Sequence, residues 1–250
     1  MKRTVDIIVP IFDAYEHVAT CVTSVLNHTA GMNYRLILIN DATRDERIDS
    51  FYLSLARENI LFLKNEKNLG FVKTCNRGMA LSEINDVVLL NTDTVVTKNW
   101  LRNLRSAVYG QENIGGAIPV SNHASVYSIT ELGERENPES IQKAGEILSA
   151  YSAGGIHEIP TAVGFCFYIK RDVIRKIGMF DEVFSRGYRE ENDFCMRARE
   201  QGFRFVLAEN AFAYPYYSAV NQAYQRSGAF EKLRSKVSGR VGSEIGVYSK

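Results

Sequence analysis

The chain has 250 residues, 45% hydrophobic and 24% charged, the proportions of a globular protein with one large domain or two small ones. A formal net charge of +1 argues against nucleic acid as a partner. Four cysteines, Cys21, Cys75, Cys166 and Cys195, stand far apart without a C-x-x-C pair, which predicts reduced core thiols of a cytoplasmic protein and excludes a disulfide frame.

The amino terminus is basic, but its apolar run is cut by Asp6, Pro10 and Asp13, too short and broken for a signal peptide or a membrane span. Val5 to Ile11 reads as a strand, and Glu16 to Asn27 has helical spacing. Tyr34 to Asn40 is a second strand, with Asp41-Ala42-Thr43 as a cap before a helix over Asp45 to Ala56. ILFLKN, the helix-like FVKTCNRGMALSE and the strand DVVLLN repeat the alternation. Trp100 to Val108 is helical, with Trp100 packing that helix on the sheet, and IGGAIPV is a further strand. Near-continuous apolar strands separated by helices predict an α/β fold with a mostly parallel central sheet covered on both faces.

From Ser121 to Ile159 the alternation dissolves, apart from a helix over Ile141 to Tyr151. Such a stretch inside a compact domain points to function. Order returns with TAVGFCFYIKRDVIRKIG, a strand leading into a short helix, then an acidic helix after Arg189, then FRFVLAEN as a strand. The tail from Arg226 to Lys250 is basic and helical in spacing, suited to packing on the domain or lying on a membrane surface.

In a parallel sheet ligands bind at the carboxyl ends of the strands. Three strands end there in polar residues: Pro10-Ile11-Phe12-Asp13, Asn40-Asp41 and Asn91-Thr92-Asp93. Each aspartate alone could merely cap a helix; three at one edge point to a site. No G-x-G-x-x-G follows a strand, and no G-x-x-x-x-G-K-[ST] or G-x-S-x-G occurs, so dinucleotide, P-loop and serine-hydrolase readings lose support. Asp93 at a strand end suits a hard cation that shares its oxygens with a phosphate. Glu190, Glu191 and Asp193 crowd the start of a helix. Its dipole welcomes one or two carboxylates, but inward-facing ones need a purpose. Asp193 and Arg197, four apart, read as a structural ion pair.

Together these segments resemble family 2 glycosyltransferases of the GT-A fold, a Rossmann-like arrangement, from about Val5 to Tyr217. DIIVPIFDAYEHVATCVTSV is similar to the family's opening strand and helix, ILINDAT to its Asp-containing strand end, and NEKNLGFVKTCNRGM to its N-x-G segment. LLNTDTVVTKNW occupies the place of the DxD motif, and GFCFYIKRDVIRKIGMFDE with RGYREENDFCMRAREQGFRF resembles the acceptor-side block. The resemblance implies one catalytic domain over 1–225, with a nucleotide-sugar-binding half (1–120), an acceptor-side half (121–225) and a basic tail (226–250). Pro10, Phe12, Asp13, Asp41, Asn68, Gly70, Asn76, Asn91, Thr92 and Asp93 would hold a nucleoside-diphosphate sugar of the UDP or dTDP type. Asp93 would bind Mn²⁺ or Mg²⁺, and Gly164, Phe165 and Arg189 would lie on the acceptor side. Glu191, with Glu190 alongside, would take the proton of an acceptor hydroxyl on a glycan or lipid-linked glycan, giving inverting transfer at the cytoplasmic face of a membrane.

The chain departs from the pattern in three places. Asn91 replaces the first acid of DxD, Arg189 stands where close relatives tend to carry glycine, and Pro215 stands where the family often places a metal-binding histidine. The histidines, His17, His28, His123 and His157, all lie upstream, which offers no local replacement and leaves a second reading, a nucleotide-sugar-binding relative without catalysis.

Overall fold

A computed structural model describes residues 3–55, 57–121, 137–184 and 189–216. Those up to Tyr216 form one unit; His123 and the basic tail lie outside the described residues. The strands are β1 (Val5–Ile11), β2 (Tyr34–Asn40), β3 (Ile60–Lys64), β4 (Asp86–Leu90), β5 (Thr94–Val96), β6 (Ile114–Val120), β7 (Ile156–Ile159), β8 (Cys166–Ile169) and β9 (Arg204–Pro215). The helices are α1 (Tyr15–His28), α2 (Arg47–Leu55), α3 (Phe71–Met79), α4 (Trp100–Tyr109), α5 (Pro138–Tyr151), α6 (Arg171–Ile177) and α7 (Glu190–Glu200).

The strands join in the order β3-β2-β1-β4-β8-β6-β9-β5, with β7 paired to β9. β3, β2, β1 and β4 run parallel, as the alternation of apolar strands and helices predicts. β8 enters antiparallel to both β4 and β6, so the sheet is mixed in its second half. Hydropathy does not reveal this, because an antiparallel strand buried on both faces is as apolar as a parallel one.

Both faces of the sheet are covered. Ile7, Val9 and Ile11 of β1 join the main core with Val18, Cys21, Val22 and Val25 of α1. Ile8, pointing the other way as strand pleating requires, meets α3, where Gly78 allows close approach: a Cβ there would lie 2.6 Å from Ile8 Cγ2. Trp100 is fully buried in α4 and its indole N–H donates to Thr29 Oγ1 at 3.1 Å, so it packs the helix on the sheet as its position predicts. All four cysteines are free and buried.

The structure extends the sequence reading in two places. α5 begins at Pro138, with Asn137 Oδ1 accepting the Glu139 N–H at 2.9 Å; this polar first turn, with proline at its first position, precedes the apolar stripe that starts at Ile141. β9 runs past Asn210 to Pro215. Its pairing with β6 jumps from Pro119–Ala208 to Val120–Phe212, so Glu209, Asn210 and Ala211 occupy a bulge in the strand. Glu209 there hydrogen-bonds His157 of β7, a strand hidden within the irregular stretch. Beyond the bulge β9 pairs with β5, Pro215 opposite Thr94.

Candidate active site

Parallel register brings the ends of β1, β2 and β4 to one edge. Ile11 lies opposite Asn40, and the Asp41 N–H extends the ladder to the Ile11 carbonyl at 2.8 Å. Beyond that edge the backbone is strained: Asp13, Ala14 and Ala42 all have φ near +60°, the left-handed region that costs a non-glycine residue roughly 1–2 kcal/mol. Asp13 caps no helix; its Oδ1 accepts the Thr43 hydroxyl at 2.7 Å, which joins the β1–α1 and β2–α2 loops. Phe12 stays 53% exposed beside them, an aromatic face open to a ligand.

Asp41 caps no helix either. It is buried, and its carboxylate accepts from Asn65 Nδ2 (2.6 Å), Leu69 N (2.8 Å) and Gly70 N (2.9 Å). Asn68 Oδ1 also accepts the Gly70 N–H at 2.9 Å, and Gly70 has φ +82° with ψ 167°, a conformation open to glycine alone. Since a carboxylate has about four acceptor positions, Asp41 is largely committed to shaping this loop, and contacts to a ligand would fall to the loop itself. Asn65, not anticipated from the sequence, is the hub: its amide also donates to Thr74 Oγ1 at 3.1 Å and accepts from Arg77. It ends β3 as the other polar residues end their strands, and the same edge rule would have found it. Replacing Asp41 with Ala should cost about 1–3 kcal/mol in urea denaturation, because buried donors lose their acceptor.

Asn76 does not join the edge. Its side-chain N–H donates to the Phe180 carbonyl at 2.9 Å and its Oδ1 accepts the Phe180 N–H at 3.1 Å. The expectation that it contacts a nucleotide is corrected: its amide clamps α3 to the segment that precedes α7.

The Asn91-Thr92-Asp93 turn is held from behind by Phe165. The Phe165 carbonyl accepts the Asn91 N–H at 3.0 Å and the Thr94 hydroxyl at 3.3 Å. The ring of Phe165 is buried in the main core, which corrects its expected place beside an acceptor; its contribution is this carbonyl. Burial pushes the Asp93 carboxyl upward, with His17 the first group acting against that rise. Asp93 Oδ1 is buried and has no hydrogen-bond partner. An orphaned carboxylate oxygen of this kind suits a divalent cation, although among the described residues no three His, Cys, Asp or Glu side chains gather to hold one.

The acidic helix meets the same strand start. Glu190 is 2% exposed, and Glu191 is half-buried. Burial raises both carboxyls above the ordinary glutamate range, and each feels the other. Backbone N–H groups, including that of Gly164, and a hydrogen bond from Glu190 favour ionised Glu191, whereas the same hydrogen bond favours protonated Glu190. Burial thus raises both carboxyls of the pair, and the neighbouring Glu191 charge raises Glu190 further. A Cβ on Gly164 would lie 1.8 Å from Glu191 Oε1, so what approaches this glycine closely is Glu191. Arg189, with φ +88°, adopts a backbone conformation natural to the glycine of close relatives. Asp193 pairs with Arg197 at 2.7 Å, and Arg197 also donates to the carbonyls of Ile177 (2.7 Å) and Met179 (2.9 Å), the structural pair that their spacing predicts. Cys75 of α3 lies within electrostatic reach of Glu190, Glu191 and Asp41, so the acidic helix and the β2 edge flank one helix.

Comparisons with known proteins agree with this geometry. A model described as Glycosyl transferase family 2 matches residues 6–178. The chain is 25% identical over 232 residues to the poly(ribitol-phosphate) β-N-acetylglucosaminyltransferase TarP of Staphylococcus aureus, covering 89% of this chain and 68% of TarP. It is 25% identical over 238 residues to the amylovoran biosynthesis glycosyltransferase AmsB of Erwinia amylovora, covering 89% of this chain and 72% of AmsB. With the glycosyltransferase GlyG of Streptococcus pneumoniae it shares 24% identity over 111 residues, 43% of this chain and 36% of GlyG. Among solved structures, GalNAc-T7 with UDP, GalNAc and Mn²⁺ superposes with a TM-score of 0.68 at 14% identity, over 86% of this chain and 44% of that one. The mannosyltransferase PcManGT of Pyrobaculum calidifontis, in complex with GDP-Man and Mn²⁺, gives 0.64 at 14% identity, over 96% of this chain and 65% of that one. This chain thus spans between about a third and three quarters of the proteins it matches. The fold is that of the GT-A glycosyltransferases, and the chain belongs to glycosyl transferase family 2.

Proposed function

We propose that the chain transfers a sugar, with inversion, from a nucleoside-diphosphate sugar of the UDP or dTDP type to a hydroxyl of a glycan or lipid-linked glycan. The observation that carries this reading is the dipeptide Gly164-Phe165: Gly164 abuts the Glu191 carboxylate, and the Phe165 carbonyl holds the Asn91 N–H. Two neighbouring residues thereby fix a candidate base and the DxD-like turn on one strand start.

The chemistry follows from the two poles. An acceptor hydroxyl is a poor nucleophile until a placed carboxylate takes its proton as the new C–O bond forms; Glu191 is the more exposed member of its pair. As the hydroxyl oxygen bonds to the anomeric carbon, the bond from that carbon to the diphosphate breaks, and the nucleoside diphosphate leaves from the opposite face. Its growing charge needs neutralising, and a divalent cation on Asp93 would supply that. Asp13, Phe12 and the Asn68–Gly70 loop would hold the nucleoside, with Asn91 and Thr92 near the ribose or donor sugar. Structural neighbours solved with UDP or GDP-Man and Mn²⁺ support a metal-linked nucleotide-sugar donor, and the sequence relatives named for poly(ribitol-phosphate) and amylovoran support a polymer acceptor. Among the described residues no helix is long and apolar enough to cross a membrane.

Thermal unfolding with UDP, dTDP, GDP and their sugars, each with and without Mn²⁺, tests the donor. A ligand at about 100 times its Kd adds roughly 2.7 kcal/mol, so one nucleotide should raise the melting temperature by several degrees, and more with Mn²⁺. No shift with any of them would refute the proposal, and binding without turnover of any sugar would make the chain a binding module.

A further inference from the structure

Sequence order offers no histidine near Pro215, but the fold brings one to this corner. Pro215 pairs with Thr94 at the end of β9, and the next residue, Tyr216, donates its backbone N–H to the Asp93 carbonyl at 2.7 Å. His17, half-buried in the first turn of α1, faces this corner from the other end of the sequence. Its ring centroid lies 5.6 Å from that of Tyr216, and it is within electrostatic reach of Asp93. The left-handed turn at Asp13 and Ala14 delivers it there: the His17 N–H bonds to the Ala14 carbonyl at 3.0 Å, which starts α1 immediately after the strained residues.

The corner therefore contains one carboxylate oxygen, Asp93 Oδ1, buried without a hydrogen-bond partner, and one imidazole brought to it by a separate element. We propose that His17 and Asp93 are the two protein ligands of a divalent cation, with diphosphate oxygens of the donor completing its coordination. Few protein ligands plus substrate phosphates is how small hard cations are commonly held, and imidazole nitrogen supplies a lone pair that Pro215 lacks. The inference rests on the donor reading above: α1 supplies in space the histidine that the end of β9 does not.

Pulsed EPR of the full chain with Mn²⁺ and UDP, or GDP if thermal unfolding selects it, tests this directly. The expected result is ¹⁴N modulation from a bound imidazole, lost in His17→Ala, together with a fall in Mn²⁺ affinity of more than about tenfold. The metal-free nucleotide shift should survive in both proteins. His17→Asn, with its own melting curve, replaces the alanine variant should that one fail to fold. Bound Mn²⁺ without ¹⁴N modulation in the unsubstituted protein, or unchanged Mn²⁺ affinity in the variants, would overturn the ligand assignment and leave the donor reading standing. A nucleotide complex that takes up no Mn²⁺ when the ion is added would overturn it equally. No nucleotide binding to the folded protein would bring down the donor reading itself.

Discussion

Glu191→Gln will lower the transfer rate by about 10²–10⁴-fold, the range a positioned general base contributes, while leaving the metal-dependent nucleotide shift intact. Glutamine keeps the shape and loses the proton acceptor. The same substitution should not destabilise the protein. Burial holds both Glu190 and Glu191 above the ordinary glutamate value of 4.5, and the Glu191 charge raises Glu190 further. Over the range above 4.5 the folded chain then binds more protons than the unfolded one, so these carboxyls make stability fall as pH rises. With Gln at 191 the pair no longer carries two acids, and the loss of stability toward neutral and alkaline pH should become shallower. Rate assays with donor and acceptor, beside urea titrations at several pH values, check both halves. An active Glu191→Gln protein would end the base assignment.

Gly164→Ala is the second large effect. The added methyl would lie 1.8 Å from Glu191 Oε1, well inside contact distance, so Glu191 must leave its position. A misplacement of about 1 Å in a catalytic group can cost about 10²-fold, and that is the expected fall in kcat, with donor affinity little changed. A double-mutant cycle identifies the cause. In a Glu191→Ala background there is no carboxylate to displace, and the additional effect of Gly164→Ala on rate should largely vanish. Equal effects in both backgrounds would mean that Gly164 matters for something other than Glu191.

The sequence is most readable where one local rule decides. The ends of β1 and β2 match the structure to the residue, and β4 stops one residue short of the DVVLLN run, because apolar runs stop where the chain leaves the sheet. The Asp193–Arg197 pair was visible from its spacing. The roles of polar residues were less visible, because they depend on what the fold brings opposite them. Asp41 looked like a ligand contact or a helix cap, and it organises the 65–70 loop. Asn76 looked like part of a nucleotide motif, and its amide is taken by Phe180, 104 positions away. Residues 122–136 and 217–250, which take in part of the irregular stretch from Ser121 to Ile159 and the whole basic tail from Arg226 to Lys250, lie outside the described residues. Nor could hydropathy distinguish Glu190 from Glu191, since adjacent helical residues point about 100° apart and the difference lies in how deeply each is set.

The sharing of one dipeptide between the two halves of the site has a further consequence. Gly164 and Phe165 have Cα atoms about 3.8 Å apart, the fixed span of one trans peptide, and each is held by a different pole. Loop motion cannot lengthen that tether. On the proposed reading the candidate base and the DxD-like turn would share one backbone anchor in the folded chain, and part of the ordering entropy of bringing them together would be paid once, during folding.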